Sequence, residues 1–226
     1  MDPAAAYDLW SATYDSQADN PLVAAGDQLA SELLAAVDLG GKMVVDVGCG
    51  TGRLWNLLLE RAPARLLGYD VSEGMLARLR DKYPQAAAEK LDGYRLPGAP
   101  EAGCDLVIST LTLGYLADVD AALGEWSRVL RPGGDVVITD LHPDMAARGE
   151  RSFVHEGRTM SIRHYVRPVA ALEASAARHD LEKIRLHEPV VDDALRPIYE
   201  RARAVDLFER TKGAPLLYGI HLRKRR

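Results

Sequence analysis

The stretch Met43-Val44-Val45-Asp46-Val47-Gly48-Cys49-Gly50-Thr51-Gly52-Arg53 decides the fold class of this chain. Its apolar, β-branched start predicts a buried strand, and three glycines at alternate positions follow. Glycine accepts positive φ and has no Cβ, so the backbone can turn sharply and approach a bound molecule closely before a helix predicted over 53–62. A turn between a strand and a helix indicates a nucleotide-type ligand at the carboxyl edge of a parallel sheet.

The spacing of the glycines separates two kinds of cofactor. A dinucleotide fingerprint needs Gly-x-Gly-x-x-Gly, whereas this chain has Gly-x-Gly-x-Gly, with Arg53 in the place of the third glycine. Asp46, two residues before the first glycine, would repel a pyrophosphate and suit an ammonium group. The segment resembles motif I of the class I S-adenosylmethionine-dependent methyltransferases, Asp-x-Gly-x-Gly-x-Gly. This resemblance implies that the loop holds the amino-acid part of S-adenosylmethionine, with Asp46 near its amino group.

Length and composition are typical of one globular domain spanning 1–226. The chain is 47% hydrophobic and 27% charged, and it has no apolar run long enough for a membrane span. The N-terminus lacks the basic start and apolar core of a secretory signal, so we expect a cytoplasmic protein. Two cysteines, Cys49 and Cys104, offer neither a disulfide framework nor a metal-ligand cluster. A net charge of −5 argues against a nucleic-acid partner.

Strands and helices alternate along the chain, which predicts an α/β fold with a doubly wound, mostly parallel sheet. After the first strand, further strands are predicted at 65–69, 86–91, 105–110, 134–140, 182–191 and 215–222. Helices are predicted at 23–37, 72–82, 119–130, 169–179 and 194–209. The family resemblance implies seven strands, of which the last is antiparallel, and an N-terminal helical cover over 1–39.

A second acidic residue, Asp70, ends the second strand about twenty residues beyond the glycines, where a ribose-binding carboxylate is expected. The segment that follows, Val71 to Leu76, resembles the family's Asp-x-Ser-x-x-Met-Leu pattern. Asp92, beside Gly93, matches the position that contacts the adenine amino group in the family; the alternative is an acid in a surface loop. The predicted cofactor-binding residues are therefore Tyr14, Asp46, Gly48, Cys49, Gly50, Thr51, Gly52, Asp70, Val71, Met75, Asp92, Gly93 and Thr110.

The acceptor side departs from the nucleic-acid branch of the family. The segment after the fourth strand, 110–115, has no Asn-Pro-Pro-Tyr or Asp-Pro-Pro-Tyr, with which many of those enzymes hold a flipped base. The opening Tyr7-Asp8-Leu9-Trp10-Ser11-Ala12-Thr13-Tyr14-Asp15 resembles instead the branch that methylates small molecules, including quinones and secondary metabolites. In that branch an N-terminal helix closes over the cofactor, and the tyrosine that matches Tyr14 often contacts the carboxylate of the cofactor. The alternative is that Tyr7, Trp10 and Tyr14 only pack the helix on the sheet.

His142 is the candidate general base, because it follows the fifth strand at the sheet edge where ligands of such folds bind. Alternatively, His142 caps the strand or packs against Pro143. A segment over 144–166 is predicted to form a lid, with a hairpin around Gly157. Aromatic and histidine side chains of this lid could line an acceptor pocket, or they could simply be exposed. The catalytic candidates are His142, Tyr115 and His164.

We therefore expect an S-adenosylmethionine-dependent methyltransferase that acts on a small-molecule acceptor, as a monomer or homodimer. The fold serves oxygen, nitrogen and carbon acceptors alike, so the methylated atom stays open. Two alternatives remain. One is a module that binds S-adenosylmethionine without catalysis. The other is an NAD(P)-dependent oxidoreductase, which the glycine spacing and the lack of a Tyr-x-x-x-Lys pair disfavour.

Overall fold

A computed structural model describes residues 1–16, 20–147 and 151–226 of the chain. Its strands are β1 (Met43–Val47), β2 (Arg65–Asp70), β3 (Ala87–Lys90), β4 (Cys104–Thr110), β5 (Leu130–Leu141), β6 (Ser152–His155), β7 (Arg158–Ser161), β8 (Leu181–His187) and β9 (Leu217–Lys224). Seven of them form one sheet in the order β3-β2-β1-β4-β5-β9-β8. The first five are mutually parallel, and β9 runs antiparallel to both β5 and β8. The predicted fold class is confirmed, including the antiparallel last strand.

The strand order changes direction at the centre of the sheet. From β1 the chain moves outward to β2 and β3, and then returns to place β4 on the other side of β1. The loops after β1 and β4 therefore diverge and leave a crevice at the carboxyl ends of these strands. The glycine-rich turn predicted from the sequence lies at this crevice.

Helices cover both faces of the sheet. They are α1 (Pro3–Trp10), α2 (Pro21–Leu34), α3 (Trp55–Leu59), α4 (Glu73–Lys82), α5 (Val119–Val129), α6 (Pro143–Ala146), α7 (Val169–Arg178), α8 (Arg196–Arg201) and α9 (Val205–Thr211). The single helix predicted over 194–209 is wrong, because the chain forms α8 and α9 there. Arg203 between them has a φ of +55°, a left-handed conformation that interrupts a right-handed helix.

Alternate residues of the central strands belong to two buried hydrophobic clusters, one on each face of the sheet. Val45 of β1 packs with α5 and α7 on one face, whereas Val44 packs with α2, α3, α4, α8 and α9 on the other. This alternation is the two-residue period of a strand buried on both faces. Among the described residues, no helix has both the length and the apolar character that a bilayer crossing needs.

The N-terminal helix and the β6–β7 hairpin form a joint cover over the crevice. Ala6 of α1 packs with Phe153 and Ile162 in a small separate cluster. The terminal ammonium of Met1 donates a hydrogen bond of 2.6 Å to the carbonyl of Ser161. On its other side α1 is tied to the start of α4, since Asp8 accepts hydrogen bonds from Ser72 Oγ (2.6 Å) and Gly74 N (2.9 Å). The hairpin predicted around Gly157 is present in this cover.

Candidate active site

The glycine-rich loop after β1 adopts a conformation that side chains disfavour. Gly48, Gly50 and Gly52 have φ values of +77°, +54° and +76°. A Cβ added to Gly48 would lie 2.0 Å from Thr112 Oγ1, so this glycine lets the loops after β1 and β4 approach closely. A Cβ added to Gly50 would meet no atom within 4 Å, because that side of the loop faces open space.

Asp70 at the end of β2 is held by backbone amides on two sides. Its Oδ2 accepts a hydrogen bond of 2.8 Å from Gly50 N, and its Oδ1 accepts one of 2.9 Å from Ser72 N. Burial raises the pKa of Asp70 to about 6, and these backbone donors oppose that rise. Each carboxylate oxygen retains a lone pair, so Asp70 can still accept from ligand hydroxyls.

Gly50 and Asp70 line a first cavity of about 330 Å³. Nine predicted site residues meet around it: Tyr14, Gly48, Gly50, Asp70, Val71, Met75, Gly93, Thr110 and Tyr115. Tyr165, one of the lid aromatics proposed from the sequence as pocket residues, also lines this cavity, whereas the sequence did not identify Tyr94 and Thr112. Tyr94 and Thr112 come from the loops after β3 and β4, and no local motif marks them.

Asp46 contacts α3 and does not line the first cavity. Its Oδ2 accepts a hydrogen bond of 3.0 Å from Trp55 Nε1, and its Oδ1 has no hydrogen-bond partner among the residues described. Burial raises the pKa of Asp46 to about 7. The predicted contact of Asp46 with a ligand amino group stays a prediction, which the orientation of the side chain does not support.

Three loop residues and one acid of the predicted set also lie outside the cavity. Cys49 is buried against Gly68, and this burial raises the pKa of its thiol. Thr51 Oγ1 donates a hydrogen bond of 2.7 Å to Asp15 Oδ1. Gly52 packs on the ring of Tyr83. These residues shape the loop from inside the fold. Asp92 is exposed and its neighbour Gly93 lines the cavity, so the contact of Asp92 with the adenine amino group stays a prediction.

A second cavity of about 620 Å³ adjoins the first. It is bounded by α1, the start of α2, the end of β5 and the hairpin cover, with Arg53, Met145 and Arg151 among its lining residues. Four residues line both cavities: Tyr7, Tyr14, Leu111 and Tyr115. We call these four residues the shared wall.

Two tyrosines of the shared wall, Tyr7 and Tyr14, stay protonated at neutral pH. Tyr7 Oη donates to Tyr115 Oη at 2.9 Å, and their rings meet edge to face with centroids 5.4 Å apart. Desolvation raises the pKa of Tyr7 well above its ordinary value and also raises the pKa of Tyr14. Neither phenol can therefore serve as a base near pH 7.

Two arginines of the second cavity are paired with acids. Arg151 forms an ion pair with buried Asp140 at the end of β5, and its guanidinium lies 4.6 Å from the ring centroid of Tyr115. Arg53 forms an ion pair with Asp27 of α2. Neither arginine is recognisable as a site residue from the sequence, because its pairing depends on tertiary contacts between distant segments.

The two histidine candidates line neither cavity. His142 Nδ1 accepts a hydrogen bond of 3.2 Å from Asp144 N, which makes His142 the N-cap of α6, and its Nε2 lies 3.0 Å from Glu188 Oε1. Both ring nitrogens are thus engaged, and His142 caps a helix rather than the strand of the alternative given above. His164 Nδ1 lies 3.3 Å from the carbonyl of Ile162.

Comparison with known proteins establishes the family. A methyltransferase domain model matches residues 45–138. The 2-phytyl-1,4-naphtoquinone methyltransferase of Thermosynechococcus vestitus is 30% identical over 190 residues, which cover 80% of this chain and 78% of that protein. This chain belongs to the S-adenosylmethionine-dependent methyltransferases. S-adenosylmethionine is accordingly its cofactor.

Other relatives agree with this assignment. The malonyl-[acyl-carrier protein] O-methyltransferase of Hahella chejuensis is 30% identical over 200 residues, covering 84% of this chain and 69% of that protein. A solved S-adenosylmethionine-dependent methyltransferase from Mesorhizobium loti superposes with a TM-score of 0.66 at 27% identity, covering 85% of this chain and 96% of that one. The match spans only 30% to 50% of the length of four further curated relatives.

The first cavity suits this cofactor. Asp70 offers two oxygen acceptors for ribose hydroxyls, and added Cβ atoms at Gly50 and Gly93 would meet no atom within 4 Å although both residues line the cavity. The backbone there leaves room for a ligand to lie against it. Asp70, Gly48, Gly50 and Gly93 are the residues that would hold S-adenosylmethionine.

Proposed function

We propose that this protein transfers the methyl group of S-adenosylmethionine to a small-molecule acceptor bound in the second cavity. The observation that carries the proposal is the shared wall, because Tyr7, Tyr14, Leu111 and Tyr115 each line both cavities. A cofactor in the first cavity and an acceptor in the second would meet at this boundary. The names of the two long relatives, a quinone methyltransferase and a malonyl-carrier O-methyltransferase, support a metabolite acceptor.

The cofactor supplies a methyl group on a sulfonium, which is already an excellent leaving group. The protein's main tasks are then to align the acceptor and to exclude water. Asp70 and the glycine loop would fix the cofactor, and the hydroxyls of Tyr7 and Tyr115 would orient polar atoms at the boundary. The joint cover of α1 and the hairpin would keep solvent away.

A general-base role for His142 stays a prediction, to which the geometry lends no support. Its nitrogens cap α6 and face Glu188, and it lines neither cavity. We propose instead that His142 holds the chain in place after β5. The same argument applies to His164, whereas Tyr115 belongs to the shared wall and would position the acceptor.

The test is turnover by the purified full chain. S-adenosylhomocysteine release would be measured by mass spectrometry with a panel of carboxylic acids, phenols, amines and quinols as acceptors. Release that depends on an added acceptor, with appearance of the methylated product, would support the proposal. Tight binding of S-adenosylmethionine by calorimetry, with no acceptor-dependent release from any class, would favour a binding module without catalysis.

A further inference from the structure

The second cavity contains two buried nitrogen donors that lack an acceptor. Trp10 Nε1 and Arg151 Nε have no hydrogen-bond partner among the described residues, and both side chains line this cavity. Indole and guanidinium nitrogens can only donate hydrogen bonds. A buried polar group without a partner is costly, so these donors call for a ligand that brings oxygen acceptors.

Both donors are held in fixed positions. The ring of Trp10 stacks on Phe153 of the hairpin, with centroids 4.9 Å apart and planes 12° from parallel. Arg151 is held by its ion pair with Asp140. Asp140 also accepts hydrogen bonds from the backbone nitrogens of Gly114 (2.6 Å) and Leu141 (2.7 Å). Because these side chains are already ordered, a ligand oxygen would bind them at little entropic cost.

The rest of the lining is largely apolar, and its acids are occupied. Leu22, Val23, Leu141, Met145 and Ile162 all face the cavity. Two of the described acidic residues line the cavity. Asp27 forms an ion pair with Arg53. Asp15 accepts a hydrogen bond from Thr51 and forms an ion pair with Lys82. The cavity thus favours an apolar skeleton that carries a compact group of oxygen acceptors.

Among the described residues, the second cavity has no histidine and no unpaired carboxylate that could act as a base. In the described parts of the chain no histidine lines it, its two acids are paired, and Tyr7 and Tyr14 stay protonated at neutral pH. An acceptor that must lose a proton during transfer, such as a phenol or an ammonium, would find no such base among the residues described. An acceptor that is anionic in solution needs none.

We propose that the methyl acceptor is the carboxylate of an apolar acid, bound by Trp10 Nε1 and Arg151 Nε. This inference rests on the proposed function and names the substrate class of the same site. A carboxylate oxygen attacks the methyl carbon, the carbon–sulfur bond breaks, and its electron pair goes to sulfur. The products are a methyl ester and S-adenosylhomocysteine, and no proton is transferred.

The first experiment measures recognition of the acid group in the complex with S-adenosylhomocysteine. Calorimetry would compare trans-cinnamate with cinnamamide, and octanoate with octanamide, so that each pair differs only in the charged group. We expect the acids to bind about tenfold or more tightly than the amides. Trp10→Phe keeps an aromatic ring against Phe153 but lacks the N–H, and should reduce that preference about tenfold. Trp126→Phe, whose tryptophan lines neither cavity, is the matched control and should leave it unchanged.

The second experiment identifies the bond that forms. Tritiated methyl label from S-adenosylmethionine should enter acids of the panel and be released by mild alkali as volatile methanol, as only an ester would allow. Label found solely in alkali-stable products of phenols, amines or carbon acids would overturn the carboxylate assignment and leave the proposed methyl transfer intact. Equal affinity for acid and amide, or an unchanged preference in both Trp10→Phe and Arg151→Lys, would also overturn it. Failure to bind S-adenosylmethionine would overturn both proposals.

Discussion

Replacing Asp70 by asparagine should have opposite effects on cofactor binding and on the stability of the free protein. Burial raises the pKa of Asp70 from 3.8 to about 6, and about two pKa units correspond to about 3 kcal/mol. The ionised carboxylate therefore destabilises the ligand-free fold at pH 7, a cost that disappears as the pH falls from about 6 toward 4.

Asparagine would remove this charge but would satisfy the backbone less well. Gly50 N and Ser72 N each donate to a different oxygen of Asp70, and an amide offers only one oxygen. The lost acceptor costs about 1 to 3 kcal/mol, so the net change in the free energy of unfolding lies between about zero and a gain of 2 kcal/mol. Loss of a charged hydrogen bond to the ribose should weaken cofactor binding by about 10- to 150-fold.

Urea denaturation of the ligand-free protein and calorimetric titration with S-adenosylmethionine would measure the two effects. Asp81→Asn is the matched control, because Asp81 is an exposed acid of α4 that lines neither cavity. We expect the control to change neither quantity. Unchanged cofactor affinity in Asp70→Asn, or a loss of several kcal/mol in stability, would refute the reasoning.

Three further predictions concern the same site. Gly48→Ala places a Cβ 2.0 Å from Thr112 Oγ1 at a φ of +77°. It should lower the free energy of unfolding, measured by urea denaturation, by at least about 2 kcal/mol and abolish the cofactor binding seen by calorimetry. An unchanged urea midpoint would contradict the close packing of Gly48 against Thr112. His142→Ala should lose about 1 kcal/mol of stability as an N-cap and keep most of its turnover, whereas a loss of about 10²- to 10⁴-fold in kcat would show a base. Affinity for S-adenosylmethionine should fall as the pH drops below about 6, because protonated Asp70 accepts hydrogen bonds poorly; Asp70→Asn should remove this dependence, and a flat wild-type profile down to pH 5 would refute it.

The fold and the cofactor loop could be predicted because local sequence determines both. Positive φ at Gly48 and Gly50 requires glycine, and the alternation of strands and helices determines a parallel sheet. Asp70 could be placed because it ends a strand beside the loop. Local rules failed at Arg203, where a non-glycine residue adopts a left-handed conformation and divides the predicted helix.

The acceptor side could not be predicted in the same way. Trp10 and Arg151 are 141 positions apart in the sequence and face one cavity only because the hairpin packs on α1. For Asp46 and His142 the sequence gives the position along a strand but not the direction of the side chain. The side chain of Asp46 accepts a hydrogen bond from Trp55, and the ring of His142 accepts one from the first turn of α6. Such competition between local partners and a ligand is decided by tertiary contacts.

The most direct measurement is a crystal structure of the full chain with S-adenosylhomocysteine. We predict the ribose hydroxyls within hydrogen-bonding distance of Asp70 and the sulfur facing the shared wall of Tyr7, Tyr14, Leu111 and Tyr115. A nucleoside bound in the second cavity, or one that makes no contact with Asp70, would contradict the assignment of the two cavities.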